Sequence, residues 1–290
     1  MYLSACITTR NRVQELEKCL EAIWNSEVKP YSVIVSDDSS DVTIQQKNQN
    51  TVSRYPGTNY IKGPQNGVCG NRNNAVNTVQ HSEYVVFLDD DICIPQDFIG
   101  NALSHYQNMS PEQQRKTILS GTCYDESGGE LVSTKLTFRG HFQIVDKPEN
   151  VVVNSAVFPR AFFSEEQWDE NIFFGYEDAE LCLRLKKRGY KIQYCQDLRV
   201  LHNCPGKGTL YIPKIGDLTD YEIYIEAARL YIGIKRYKSI FPNPLKLSLF
   251  MGIYFPHMIV FLLRKHALTA LPLILARSKF EYAWNQRGVP

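Results

Sequence analysis

Three consecutive carboxylates, Asp89-Asp90-Asp91, follow the apolar run Tyr84-Val85-Val86-Phe87-Leu88. Crowded carboxylates repel one another, so such a cluster is costly unless a cation offsets its charge. A divalent ion such as Mg2+ or Mn2+ takes one or two carboxylates and completes its shell with phosphate oxygens and water. An acidic cluster on the end of a buried strand therefore predicts a metal-bridged diphosphate site; a solvated acidic turn needs no apolar strand before it. A second acidic pair lies in Gly175-Tyr176-Glu177-Asp178, ahead of a helical run over 179–189 that has basic residues in its last turn and stops at Gly189. Asp178 stands where a helix-capping residue would.

Strand and helix signals alternate through the first third of the chain, which predicts a parallel sheet with helices on its faces. Leu3 to Thr8 reads as a buried strand, and the spacing of Leu16, Cys19, Leu20 and Ile23 predicts an amphipathic helix over 13–25. Ser32 to Ser36 is a β-branched strand ending in the turn-forming Asp37-Asp38-Ser39-Ser40-Asp41. A strand near 59–62 leads into a loop over 63–70, and a helix resumes over 71–80. The next strand delivers the acidic triplet at its C-terminal end, the edge where ligands bind in open α/β sheets. Further on, Thr117 to Gly121, Val151 to Phe158 and a segment near 191–195 read as short strands, the last preceding His202.

Taken in order from residue 3 to about 202, these motifs resemble a family 2 glycosyltransferase. The resemblance implies an α/β GT-A fold, a Rossmann-like mixed sheet flanked by helices with a helical C-terminal extension. It divides the chain into a catalytic domain over 1–215, with a nucleotide-sugar part at about 1–100 and an acceptor part at about 101–215, and a helical region over 216–290. The implied reaction is inverting transfer from a nucleotide-diphosphate sugar, UDP- or dTDP-linked, to a hydroxyl of a glycan or lipid-linked acceptor. The family's T-x-N-R opening is matched by Thr9-Arg10-Asn11-Arg12 and its D-D-x-S turn by Asp37-Asp38-Ser39-Ser40, which assigns Thr8, Arg10 and Asp38 to the nucleotide. Its N-x-G and A-R-N elements correspond to Gly67 and Asn71-Arg72-Asn73, with Asn71 in place of the usual Ala. Gly67, Arg72 and Asn73 would then meet the donor, Arg72 through the paired bonds a guanidinium makes to phosphate.

In the same comparison Asp91 is the direct metal ligand, Asp89 and His202 complete the Mn2+ or Mg2+ shell, and Asp89 and Asp90 adjoin the donor. The G-x-E-D loop makes Asp178 the catalytic base, since inversion needs one carboxylate to take the acceptor hydroxyl's proton. Glu177 would orient the acceptor or the base. Trp168 is a sugar-stacking or core residue and Asn154 adjoins the donor sugar; by its composition Cys204-Pro205-Gly206-Lys207-Gly208 reads either as a lid that brings Lys207 to the diphosphate or as an ordinary exposed loop.

With 290 residues, 43% hydrophobic and 22% charged, the chain has the composition of an ordinary globular protein. Its eight cysteines lack zinc-site or disulfide-scaffold spacing and read as buried thiols; the N-terminal residues lack a secretory pattern, so a cytoplasmic location is expected. Net charge is about −6 over residues 1–200 and +7 over 201–290. The basic part carries the uncharged apolar run 247–263, which Pro256 and His257 are expected to interrupt and which falls short of the roughly 20 residues of a straight span. A peripheral contact with the inner face of a membrane through 244–279 is expected, and nucleic acid is not, because the basic residues interleave with aliphatic ones. A haloacid-dehalogenase-type phosphohydrolase and a sugar nucleotidyltransferase are the rival enzymes. The first leaves the 175–178 loop unexplained, and the second wants a Gly-rich loop where Thr8-Thr9-Arg10-Asn11 stands.

Overall fold

The computed structural model describes residues 1–203 and 211–285. The N-terminal elements are β1 (Leu3–Thr9), α1 (Val13–Trp24), β2 (Ser32–Asp37), α2 (Val42–Val52), β3 (Thr58–Lys62), α3 (Gly67–Thr78), β4 (Tyr84–Asp89), β5 (Ile92–Cys93), α4 (Phe98–Gln107) and α5 (Pro111–Lys116). The middle adds β6 (Thr117–Asp125), β7 (Glu130–Leu131), β8 (Thr134–Leu136), β9 (Phe142–Ile144), β10 (Ala156–Pro159), α6 (Glu177–Lys187) and β11 (Lys191–His202). Then come β12 (Pro213–Ile215), β13 (Leu218–Thr219), α7 (Asp220–Lys235), α8 (Pro244–Arg264), α9 (Leu271–Arg277) and α10 (Phe280–Asn285).

The main sheet has the order β3-β2-β1-β4-β10-β6-β11-β5, with β7 paired to β6. β1 is parallel to β2 and β4, and β10 runs antiparallel between β4 and β6. All seven residues of β1 are buried, as a strand covered on both faces must be. The period of two sorts its side chains: Cys6 joins Ile34, Phe87 and Phe158 on one face, while Ala5 and Ile7 join Val33, Val86 and Leu88 on the other. The second face is closed by Leu16, Cys19, Leu20 and Ile23 of α1 and by Phe98, Ile99 and Ala102 of α4. The first is closed by α3, α6 and α7, and also by Phe250, Tyr254, Met258 and Leu262 of α8, so the C-terminal helices share its core. Phe87 meets Phe163 and Trp168 edge-on, with ring centroids 5.1 and 5.2 Å away, so Phe87→Ala would cost about 3–5 kcal/mol.

Several expectations change. The helix expected over 179–189 starts at Glu177, and the short strand near 191–195 extends to His202 because β11 pairs with β6 and then with β5. The strand expected over 151–158 is confined to Ala156–Pro159. Before it, Val153–Ser155 forms a 3-10 turn whose Asn154 bonds to Asp89. Pro256 does not interrupt the apolar run, since α8 is one helix of 21 residues, long and apolar enough to cross a membrane by length and composition. The ring of a helical proline crowds the carbonyl four residues back, and here that residue is Gly252, on the exposed face with no atom near its missing side chain.

Candidate active site

The strand order reverses at β1, whose two parallel neighbours lead away in opposite sequence directions, and a crevice opens at the strands' C-terminal ends. Register brings Thr8 opposite Asp89 on β4 and Thr9 opposite Asp37 on β2. The resulting cleft, about 430 Å³, is lined by Thr8, Arg10 and Asp38, by Gly67 and Arg72 of α3, by Asp89, Asp90 and Asp91, and by Glu177 and His202.

The two adjacent aspartates after β2 divide the work. Asp37 is fully buried and accepts bonds from the Ser39 amide (2.8 Å), Asn48 (3.0 Å) and the Tyr60 hydroxyl (2.9 Å), which fix the turn. Asp38 faces the cleft, accepts from the Gln65 amide at 2.9 Å, and is raised by burial above the ordinary carboxylate range. A Cβ on Gly63 would fall 2.1 Å from its Oδ1, so only glycine lets the loop come this close.

In the triplet, Asp89 accepts from Arg72 (3.2 Å) and from Asn154 (3.0 Å), and Asn154 Oδ1 accepts the Asp89 amide at 3.0 Å. Asp90, 4% exposed, accepts from Thr9 at 2.7 Å; burial pushes it up to about 7. Burial also pushes Asp91 up, but bonds from His202 and Arg12 outweigh it and leave its carboxyl lowered. His202 Nε2 lies 3.3 Å from Asp91 Oδ2, placed there by the pairing of His202 with Ile92 and by the Asn203 amide's bond to the Asp91 carbonyl. The Asp91 bond raises His202 against the opposing effect of burial.

Arg12, which closes the T-x-N-R match, is a further residue of the site. Its Nη1 spans Asp90 at 3.0 Å and Asp91 at 2.5 Å, giving the acids an internal counter-charge. The Asp91 carboxylate suits either Mn2+ or Mg2+, and the His202 imidazole favours the transition metal of the two. As placed, among the described residues, the His/Cys/Asp/Glu trio drawn tightly enough to share an ion is His105, Cys195 and Asp197 on α4 and β11, not the Asp89, Asp91 and His202 set. A metal at the cleft would thus need the donor's phosphates to complete its shell.

On the opposite wall Arg72, 2% exposed, bridges Asp89 and Glu177, each at 3.2 Å, with its guanidinium 5.0 Å from the Trp168 ring centroid. Trp168 is therefore a core residue beneath Arg72 and has no free face for a sugar. Asn73 likewise departs from its expected donor contact. Both ends of its amide are bound to the 168–170 segment, through the Trp168 amide and carbonyl and Glu170, and it does not line the cleft. Gly175 and Tyr176, both left-handed with φ of 82° and 64°, turn the chain into α6; for Tyr176 this is a strained conformation held by its surroundings. The turn sets Glu177 on the cleft and Asp178 just behind it. Asp178 accepts from Asn150 (3.2 Å) and from the first-turn amide of Ala179 (2.7 Å), and it lies one residue inside the helix, the N-cap position being Tyr176. Enclosure by protein, then the adjacent Glu177, pushes Asp178 up to about 7. Lys207 lies outside the described residues.

Residues 4–112 match the model of glycosyl transferase family 2. Over 135 residues the chain is 33% identical to a Campylobacter jejuni GalNAc(5)-diNAcBac-PP-undecaprenol beta-1,3-glucosyltransferase, covering 44% of this chain and 40% of that relative. The chain thus spans about two fifths of the curated relative it matches. Among solved structures it resembles GalNAc-T7 with UDP, GalNAc and Mn2+, with a TM-score of 0.61 at 13% identity over 92% of this chain and 58% of that one. It also resembles S. aureus TarS 1–349 in complex with UDP-GlcNAc, with a TM-score of 0.60 at 14% identity over 96% and 79%. These likenesses establish the GT-A fold. The phosphohydrolase and nucleotidyltransferase readings find no support among them.

Proposed function

From the match of residues 4–112 to glycosyl transferase family 2, we propose that the chain belongs to that family and moves a sugar from a UDP- or dTDP-linked donor to a hydroxyl of a lipid-linked glycan acceptor, with inversion. The observation that carries this reading is the convergence of Asp38, Arg72, Asp91 and His202 on one cleft with Glu177 at its far side. Asp38 accepts from the nucleotide base, and Thr8 adjoins it. Asp91, His202 and Asp89 would hold a Mn2+ or Mg2+ ion, which supplies positive charge against the diphosphate as it departs. Arg72 adds a preorganised cation at the same end, where fixed charge contributes most to lowering the barrier. Asp178, with its raised pKa, accepts the acceptor's proton, and Glu177 orients that hydroxyl between the base and the anomeric carbon. A lipid-linked acceptor is supported by the name of the C. jejuni relative, and UDP by the ligands of the solved neighbours.

The same reading places the chain peripherally at a membrane. One face of α8 is buried in the core, whereas Leu245, Leu249, Val260 and Leu263 on the opposite face are 84%, 56%, 47% and 55% exposed. A helix half sunk in its own protein fits an interfacial position better than a span.

The decisive experiment screens nucleotide sugars by thermal shift with and without Mn2+, then assays the stabilising donor for transfer or hydrolysis. Metal-dependent activity is expected to vanish in Asp91→Ala. Undiminished activity in that variant removes the metal assignment, and a chain that binds no nucleotide sugar removes the reading itself.

A further inference from the structure

Phe173 and Tyr211 both line the cleft and are left 46% and 45% exposed. Each is braced by a second ring. Phe173 stacks on Tyr224 with centroids 5.0 Å apart and planes 25° from parallel; Tyr211 stacks on Tyr221 at 4.8 Å and 22°. Both backing rings come from α7, three residues apart and so on one helix face. Behind Tyr224 the Arg277 guanidinium lies 3.9 Å from the ring centroid, and Phe174 meets Tyr221 edge-on at 5.8 Å. Large aromatic side chains in a core gain stability from burial. Here two are instead held rigid in solvent at a cleft, as flat apolar surfaces whose ordering cost is already met by the fold.

A pyranose ring matches such a surface. Its axial C–H bonds form an apolar patch on each face, H1, H3 and H5 on one and H2 and H4 on the other in a β-glucoside, and carry weak positive charge that suits the negative face of an aromatic ring, while its hydroxyls radiate from the edge. We propose that Phe173 and Tyr211, braced by Tyr224 and Tyr221, form the acceptor subsite and hold a saccharide acceptor by stacking on its ring faces. This rests on the glycosyl transfer proposed above. The acceptor is favoured over the donor sugar by position in the chain: Thr8, Asp38, Asp89 and Asp91 stand at or just past the ends of β1, β2 and β4, whereas Phe173 and Phe174 run directly through the Gly175-Tyr176 turn into Glu177 and Asp178. A sugar stacked on Phe173 presents its rim of hydroxyls to those two carboxylates. Tyr211 adds a phenol that hydrogen-bonds at the rim.

The test uses the full chain with UDP and diamagnetic Mg2+, and methyl β-glucoside and methyl β-N-acetylglucosaminide as acceptor fragments. Saturation-transfer NMR on the unaltered chain is expected to concentrate on the axial ring protons of the sugar and to leave its O-methyl protons weak. Phe173→Leu and Tyr211→Leu keep apolar bulk but remove the π face, and each is expected to weaken glycoside binding about tenfold while UDP binding by calorimetry stays unchanged. Phe173→Trp is expected to retain it. The proposal is overturned if the unaltered chain binds neither glycoside, if saturation is spread evenly over the sugar, or if UDP binding falls in step with glycoside binding in folded variants. A chain that stacks glycosides in this way yet transfers no sugar would sink the proposed reaction and leave the subsite standing.

Discussion

Arg72→Met isolates the ion pair that joins the two walls of the cleft. Methionine keeps much of the apolar volume over Trp168, so cavity effects stay small. What is lost is the charge shared between Asp89 and Glu177, each 3.2 Å from the guanidinium. Removing one partner of a buried pair costs about 3–5 kcal/mol because the other charge is left uncompensated. The Asp89 side chain is 36% exposed and regains water, whereas that of Glu177 is 14% exposed and has one buried oxygen without a partner already. Discounting for Asp89, the loss falls to about 2–3 kcal/mol. Denaturant titration reads it as a lower midpoint at unchanged slope. Adding Glu177→Gln removes the stranded charge, so the double variant is expected to recover about 1 kcal/mol or more of the loss, a coupling within the range for residues in direct contact. A loss below about 0.5 kcal/mol, or a double variant equal to the sum of the singles, would refute the view that this pair holds the walls together.

Asp178→Asn is expected to abolish transfer while leaving UDP binding intact by calorimetry; loss of both would mean the carboxylate is structural. Because the Asp178 pKa is raised to about 7, the folded chain binds that proton more tightly than the unfolded chain, and stability falls as pH rises from about 4 toward 7. The melting temperature of Asp178→Asn should therefore gain on the parent across that interval and keep a constant lead above it, and kcat of the parent should rise through about pH 7. Gly63→Ala, whose Cβ would meet Asp38 Oδ1 at 2.1 Å, is expected to weaken UDP binding at least about tenfold, and unchanged affinity would exclude Asp38 from the nucleotide pocket. Replacing Leu249, Val260 and Leu263 by Gln is expected to reduce flotation with anionic liposomes at unchanged melting temperature; equal flotation argues against membrane docking. Point changes are needed because deleting α8 would strip Met258 and Leu262 from the core.

The donor half was legible because its chemistry is local. β1, β2 and β4 are short apolar runs, each ending within a residue or two of the polar group it presents, so the motif and the strand end coincide in sequence. The acceptor half was not, because its contacts are made at long range. Asn150 reaches Asp178 across 28 residues, and Phe173 finds its backing ring on α7, in the segment read only as apolar and helical. Asn73 departs from its expected donor contact for a related reason: it adjoins Arg72 in the chain, but helix phase turns its amide onto Trp168, which takes the core alternative of its two readings. The motif does not mark Arg12, since the turn at Asn11, with its φ of 60°, brings Arg12 onto the acids.

The core that α8 shares with the sheet also has a metric consequence. Through Phe250, Tyr254, Met258 and Leu262 that helix packs on the same core that underlies the crevice, so the distance between its exposed flank and the crevice is set by that packing. If that flank rests on a bilayer, the anomeric centre is carried at one altitude above the lipid. Acceptors would then be sorted as by a ruler, according to how far their reactive hydroxyl stands from the anchor.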